Sequence, residues 1–410
     1  MDTVVIGGGI IGTTLAYTLQ KRGRQVVLLE RDTPGMGASF GNMASIAVTE
    51  FMPASRPSVW KQIPGWMLDP EGPVTVRPSY MPKLLPWFLR FIAASRPGKL
   101  RDLEAQGAAL CARVYDDLLP LLRATGLEGE LTDEGCLSLY TDEDEFRADK
   151  DHIDILERFH FPHEVLGRQA IKALEPELSD KIGMAVLFPQ NRSVRDPYRL
   201  VLRLADAFTG LGGKIMQGEA VGFTRGEAIS EVCLRDGRRL ACDTAVVCAG
   251  AYTAALAKIL GEPIPLETER GYHTQIMSPG ITMKHSIIWP ARAFMVTPTA
   301  GGIRVGGTVE MAGLNAAPDY RRSKITVKRA REALPNLRCE NFTEWMGHRP
   351  AFPDTIPVMS ASAKTRGVFY ATGHGHLGLT YAATTARLMA DLITGVKPPV
   401  DMTPYRVNRF

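Results

Sequence analysis

The chain has 410 residues, 45% of them hydrophobic and 22% charged, the balance of a soluble globular protein with room for two domains. Forty-eight basic against 44 acidic residues leave a net charge of +4, too small to indicate nucleic acid as a partner. The six cysteines form no C-x-x-C pair and none has histidine at metal-ligand spacing, so the expectation is no metal and free thiols in a reducing compartment.

Residues 3–6 form a short apolar run that reads as a buried parallel strand. Gly7, Gly9 and Gly12 follow at G-x-G-x-x-G spacing, and Ile11, Leu15, Ala16 and Leu19 then recur at helical intervals until Gly23, a left-handed stop. Residues 25–29 are a second apolar strand with Glu30 at its end. Each part suits a dinucleotide. Gly7 permits the tight turn, Gly9 lets backbone approach a pyrophosphate, and Gly12 lets the helix pack on the strand. The helix start at Ile10 and Ile11 offers N–H groups and partial positive charge to the phosphates. Glu30 can accept both hydroxyls of an adenosine ribose and would repel a 2′-phosphate, which argues against NADP. The motif alone does not choose between NAD and FAD. The apolar start lacks a basic region and a small-residue cleavage site, and no apolar run nears the ~20 residues that span a bilayer. The expected location is cytoplasmic, or peripheral to the inner membrane.

Four later segments narrow the choice. Gly37-Ala38-Ser39-Phe40-Gly41-Asn42-Met43-Ala44 is a loop rich in small residues. Residues 243–248 read as a strand, followed by Ala249-Gly250-Ala251-Tyr252-Thr253, a glycine placed where ligands bind at the carboxyl edge of open sheets. Trp345-Met346-Gly347-His348-Arg349-Pro350 precedes Pro353-Asp354 and Pro357. Residues 368–371 read as a strand before a second glycine-rich turn, which opens a helix through Ala383, Ala386, Leu388, Met389 and Leu392 and can offer N–H groups to negative charge. With the opening unit, these segments make the chain resemble, from end to end, the FAD-dependent D-amino acid dehydrogenases. Those enzymes fall within the larger family of glycine oxidases, sarcosine oxidases and D-amino acid oxidases.

The resemblance implies an α/β fold. A discontinuous Rossmann-type FAD-binding domain would comprise residues 1–50, 190–258 and 345–410. An inserted α+β substrate-binding domain, residues 51–189 and 259–344, would carry a mixed or antiparallel sheet. Noncovalent FAD would be held by Gly7, Gly9, Ile10, Ile11, Gly12, Glu30 and Arg31. Ala38, Ser39, Asn42, Met43 and Ala44 would lie along the flavin ring, with Met43-Ala44 where the family often has Ala-Gly. The backbone of Val221 would hold adenine, and Ala249 and Gly250 would add to the site. The second turn, Gly373, His374, Gly375, His376, Leu377, Gly378, Leu379 and Thr380, would meet the flavin C2 carbonyl and N1, and neither histidine is read as a base. Between these, a helix from about residue 195 to 211 and a strand from Lys214 return the chain to the nucleotide sheet.

On the substrate side, the family's Gly-x-Arg-Pro arginine, which grips the substrate carboxylate, falls at Arg349. An always-charged guanidinium can do this through two parallel hydrogen bonds. Glu269-Arg270-Gly271-Tyr272-His273 resembles the family's strand at the top of the pocket. Strand alternation sends Tyr272 and His273 to opposite faces. Tyr272 is expected to bind the carboxylate or line the pocket, and His273 to face amine or solvent. Residues 289–294 and a turn at Gly306-Gly307 are expected in the same sheet. Residues 66–73 and the cluster Leu84, Leu85, Trp87, Phe88, Leu89 and Phe91 lead into this domain. The cluster reads as core packing, with a cap over the site or a lipid contact as the other readings. The basic run from Arg321 to Arg331 reads as a solvated helix face.

The activity implied is oxidation of the CH–NH bond of a D-amino acid: D-proline, D-hydroxyproline or a small neutral one. Hydride would pass from Cα of the neutral amine to flavin N5, the imine would hydrolyse, and electrons would go to a quinone or carrier. The motifs hold no obvious acid–base pair, and this chemistry requires none. An oxygen-using glycine or sarcosine-type oxidase is the alternative within the class. A flavin-binding subunit without turnover and an NAD-dependent dehydrogenase are the alternatives outside it.

Overall fold

The computed structural model describes residues 2–60, 62, 65, 69 and 71–410. The opening strand Asp2–Ile6 lies inside a six-stranded sheet, which is why Val4, Val5 and Ile6 are buried in succession rather than in alternation. It pairs in parallel with Gln25–Glu30 on one side and Thr244–Val247 on the other. Lys214–Gln217 extends the sheet past the former, and Val368–Thr372 then Val358–Ala361 extend it past the latter. Start, middle and end of the chain thus share one sheet. The helix Ile10–Lys21 packs its fully buried Leu15, Ala16 and Leu19 in one core with Leu379, Ala383 and Ala386 of the closing helix Gly378–Ile393. Each buried leucine there contributes about 2 kcal/mol. The expected middle helix is Pro197–Gly210, capped by the Asp196 carboxylate, which accepts from the N–H groups of Tyr198 and Arg199.

The second sheet is mixed and has nine strands. Glu267–Ile276 is flanked by Gly302–Met311 and, at the sheet edge, by Phe342–Ala351. The edge strand pairs over its whole length, from Glu267 opposite Ala351 to Ile276 opposite Phe342. Residues 345–351, expected with the nucleotide-binding domain, therefore belong to this sheet, because ten residues of continuous register hold them there. Gly306 and Gly307 do not turn. They run on within Gly302–Met311, where a break in register opposite Tyr272 absorbs the extra residue. The helix Arg321–Ala333 seats Val327, Ala330 and Ala333 in the core beneath. Its basic run is only partly solvated, since Arg322 is buried and donates to the Gly72 carbonyl.

In the aromatic cluster Leu84 and Phe91 are buried, whereas Leu85 and Leu89 are exposed. Trp66, Met67, Leu68 and Pro70 lie outside the described residues. All six cysteines are unpaired. Among the described residues there is no cluster of side chains suited to a metal, and no helix is long and apolar enough to cross a membrane.

Candidate active site

Three parallel strands of the first sheet end on the same edge, and each is followed by a glycine turn: Gly7 after Asp2–Ile6, Ala249-Gly250 after Thr244–Val247, and Gly373 after Val368–Thr372. Gly7 has φ +107°, and a Cβ there would stand 2.5 Å from the Cys248 carbonyl oxygen. A Cβ on Gly12 would stand 1.9 Å from the Gly7 carbonyl oxygen. A side chain at either position would close the turn. The helix that follows starts at Gly9 with no acid in its first turn, and Ser39 Oγ accepts from the Ile10 N–H at 2.9 Å. The N–H groups of Ile11 and Gly12 have no intrahelical acceptor and face outward from the helix end. The Glu30 carboxylate is fixed beside the turn by the N–H groups of Gly8 (2.5 Å) and Asp32 (3.0 Å). Arg31 stacks on the Tyr252 ring at 3.9 Å, joining this strand end to the Gly250 turn. Val221 falls at the break in register between Ala220 and Gly222, where the extra residue of a bulge leaves its backbone unpaired.

The loop after Glu30 is held from both sheets. Asn42 donates to the Ser39 carbonyl and accepts from the Ala44 N–H, both at 2.8 Å, and Ala44 takes a left-handed φ of 58°. Ala38 at its start is exposed, and Met43 packs against Gly306 of the second sheet. Three successive carbonyls of the loop are gripped by the second sheet. His273 Nδ1 meets that of Gly41 at 2.9 Å, and Arg304 Nη1 donates to those of Asn42 (2.5 Å) and Phe40 (3.5 Å). Just beyond, the Ala47 N–H donates to Thr380 Oγ1 of the closing helix at 3.0 Å. The Gly375 N–H donates to the Pro350 carbonyl at 2.8 Å, so the second glycine turn rests on the strand that carries Arg349. Leu377 precedes the closing helix, whose first residues Gly378, Leu379 and Thr380 include no acid.

Arg349 shares a face with Gly271 and His273. A Cβ on Gly271 would stand 2.3 Å from the guanidinium carbon, so any side chain there would displace the Arg349 head from its present position. Arg349 is half-buried and makes no hydrogen bond or ion pair with any described residue. Burial pulls its pKa down, and Glu269, directly across the strand pair, pushes it up. Among the described residues, no carboxylate reaches the guanidinium directly, and Glu269 acts on it only at longer range.

Tyr272 does not take the expected role. It lies on the opposite face, 1% exposed, and its hydroxyl donates to Glu310 at 2.5 Å and accepts from the Asp319 N–H at 3.0 Å. Arg270 and Arg77 hold the same Glu310 carboxylate at 2.9 and 2.7 Å. Burial lifts the Tyr272 hydroxyl to about 12. The two residues alternate across the strand as expected, with His273 rather than Tyr272 on the face of Arg349. On that side His273 is shielded from solvent. It is 3% exposed and stacks on Trp345 at 5.3 Å. Because its Nδ1 meets a carbonyl, that nitrogen carries the proton. Burial, with the nearby charges of Arg304 and Arg349, drops its pKa to about 3 and keeps the ring neutral.

His374 is 4% exposed and its Nε2 meets Thr385 Oγ1 at 3.0 Å, so only its backbone is offered to a ligand, while His376 is exposed. Sequence reasoning missed Arg304 and gave Trp345 and Glu269 no role. Arg304 had one usable sign: a charged residue amid a strand whose neighbours Ile303 and Val305 are apolar.

A family model described as DAO, FAD dependent oxidoreductase, matches residues 2–392. The chain belongs to this family of FAD-dependent oxidoreductases. The flavoprotein is 31% identical to a D-amino-acid oxidase of Bradyrhizobium diazoefficiens, over 99% of this chain and 98% of that one. It is 27% identical to a D-amino acid dehydrogenase of Rhizobium rhizogenes over 100% of both. Among solved structures, L-proline dehydrogenase from P. horikoshii shares its fold at TM-score 0.76 and 20% identity, with 100% of this chain and 97% of that one covered. Glycine oxidase from Geobacillus kaustophilus does so at TM-score 0.73 and 20% identity, covering 100% and 98%.

FAD is the cofactor of this flavoprotein, and the residues present fit it. The cradle at Gly7 and Gly12 has no space for side chains, as close approach by a pyrophosphate requires. Two helices present N-termini without acids, and the bulge at Val221 offers unpaired backbone.

Proposed function

We propose that this flavoprotein is a D-amino acid dehydrogenase. It oxidises the CH–NH bond of a D-proline-like or small neutral D-amino acid and passes the electrons to a quinone or carrier. The observation that carries this reading is Arg349, a half-buried guanidinium with no hydrogen bond or ion pair to a described residue, on the face turned toward the loop of residues 37–44. The names of the two curated relatives, a D-amino-acid oxidase and a D-amino acid dehydrogenase, support the substrate class.

Bound FAD, held noncovalently by the residues proposed from Gly7 to Thr380, supplies the hydride acceptor. The chain's own residues bind and orient. Arg349 takes the substrate carboxylate through two parallel bonds, which fixes where Cα lies. His273 and Arg304 hold the loop of residues 40–42 in place. Neither Tyr272 nor His273 moves a proton: His273 stays neutral with a pKa near 3, and the Tyr272 hydroxyl is committed to Glu310. The substrate amine therefore has to arrive unprotonated, its lone pair assisting loss of hydride. The imine product then hydrolyses in water. We place the enzyme in the cytoplasm or at the inner face of the membrane.

The 31% identity to a protein named an oxidase makes oxygen the second reading for the acceptor. Mixing the substrate-reduced enzyme with a water-soluble quinone or with air-saturated buffer separates the two. Fast reoxidation by quinone and slow reoxidation by air is the expected result. Fast reoxidation in air with one peroxide per flavin would make the enzyme an oxidase.

A further inference from the structure

The helix Met81–Ala94 turns Leu84, Phe91 and Ala94 inward, and Trp87 donates its indole N–H to the Ala351 carbonyl at 3.3 Å. The opposite face should be polar, as on any surface helix. It is not. At 100° per residue, Pro82, Leu85, Pro86, Leu89 and Ala93 cluster on it, and all are exposed. Leu85 is 50% and Leu89 59% exposed. No polar side chain falls within that arc, and the helix's two cations, Lys83 and Arg90, lie along one flank.

The stretch of sequence that carries this face has charge of a single sign. Residues 72–101 contain Arg77, Lys83, Arg90, Arg96, Lys99 and Arg101 and no acid. Arg77 is paired with Glu310. The other five are exposed, and none makes an ion pair or hydrogen bond with a described residue. Three of them, Arg96, Lys99 and Arg101, gather at the start of the next helix, Pro97–Cys111, whose first turn holds no acid. Cations at a positive helix end repel that end and one another unless an anion lies against them.

We propose that this face docks on an anionic phospholipid bilayer, with Leu85 and Leu89 entering the acyl boundary and the flanking Lys83 and Arg90 meeting headgroups. An apolar strip flanked by basic side chains is the pattern that lies in a membrane interface. A second copy of the chain suits the face less well, because pairing would set two like-charged rims against each other. The inference goes beyond the proposed reaction and holds whichever amine is oxidised.

The test is flotation of the FAD-loaded protein with vesicles of phosphatidylcholine alone, or of phosphatidylcholine and phosphatidylglycerol in equal parts. The wild type should float with the anionic vesicles only, and less as salt is raised. L85E/L89E should abolish flotation while flavin content, melting temperature and turnover with a soluble dye stay unchanged. K83Q/R90Q should weaken partitioning about thirtyfold, at about fivefold per charge near an anionic surface. Flotation with neither vesicle, equal flotation with both, or flotation that survives L85E/L89E would overturn the proposal. So would a wild-type dimer in light scattering that L85E/L89E converts to monomer.

Discussion

Replacing Arg349 with methionine should separate substrate binding from cofactor binding. The guanidinium makes no hydrogen bond or ion pair with a described residue, so its removal breaks none of the bonds described for the fold. What it takes away is a pair of charge-assisted bonds to the substrate carboxylate, each contributing about 1.5–3 kcal/mol. After allowance for desolvation, a net loss of about 2–4 kcal/mol is expected, a fall in kcat/KM of about thirty- to a thousandfold. Stability should move the other way. A half-buried cation with no partner among the described residues is a cost in the free enzyme, and methionine of similar length removes it, so the holoenzyme without substrate should melt at the same or a higher temperature. Arg349→Lys keeps the charge but loses the planar fork, and should fall between the two. The assay is anaerobic stopped-flow bleaching of the flavin against D-amino acid concentration, with the flavin-to-protein ratio measured on the same sample. An unchanged apparent substrate affinity, or loss of flavin along with activity, would refute the assignment.

Tyr272→Phe should leave kcat/KM within about threefold and lower stability to urea by about 1–2 kcal/mol, because it strips a hydrogen bond from buried Glu310; a large kinetic loss at full stability would return Tyr272 to the substrate face. His273→Ala or Arg304→Met should weaken FAD binding at least about tenfold in a fluorescence titration of apoprotein, each removing charge-assisted or buried bonds to the loop carbonyls, and unaltered affinity for both would contradict the clamp. Gly12→Ala, whose Cβ would meet the Gly7 carbonyl at 1.9 Å, should yield protein without flavin; a yellow Gly12→Ala enzyme would contradict that geometry. His273 and His374 are each held to about 3, below the ordinary 6.5, so the folded chain binds fewer protons than the unfolded one as pH falls. Their contribution is complete above pH 6.5 and is lost toward pH 3, with about 2 kcal/mol each gone by pH 5. His152 works in the opposite sense: burial would lower it, but Asp149 and Glu50 prevail and lift it to about 9, so its contribution is complete below pH 6.5 and lost as pH rises through 9. His152 offsets about one of the other two, and the urea midpoint should still fall between pH 8 and pH 5; a flat or rising midpoint would refute the balance.

The nucleotide side was legible because each of its parts is local. Gly7, Gly9 and Gly12 fall within six residues of sequence at a recognisable spacing, Gly12 against the Gly7 carbonyl itself, and Glu30 ends a strand whose apolar run is unbroken. The second turn could be read at Gly373 to Thr380 for the same reason. The substrate side depends on how strands are paired, which composition does not reveal. That residues 345–351 leave the first sheet follows from ten residues of register with Glu267–Ile276, in which their partners, from His273 opposite Trp345 to Glu267 opposite Ala351, are remote in sequence. The exchange of faces between Tyr272 and His273 has the same origin. Gly271, which leaves room for Arg349, was the clue to the face, and it became readable only once Glu269 stood opposite Arg349. Arg304 could not be assigned because its acceptors, Phe40 and Asn42, offer carbonyls that any residue type would carry.

Anaerobic mixing of the purified yellow enzyme with matched D- and L-enantiomers of proline and alanine tests the central claim most directly. The flavin absorbance should bleach with the D-enantiomers, and Arg349→Met should suppress that bleaching without loss of bound flavin. Bleaching by the L-enantiomers alone, or by none of the amines, would contradict the reading of this site.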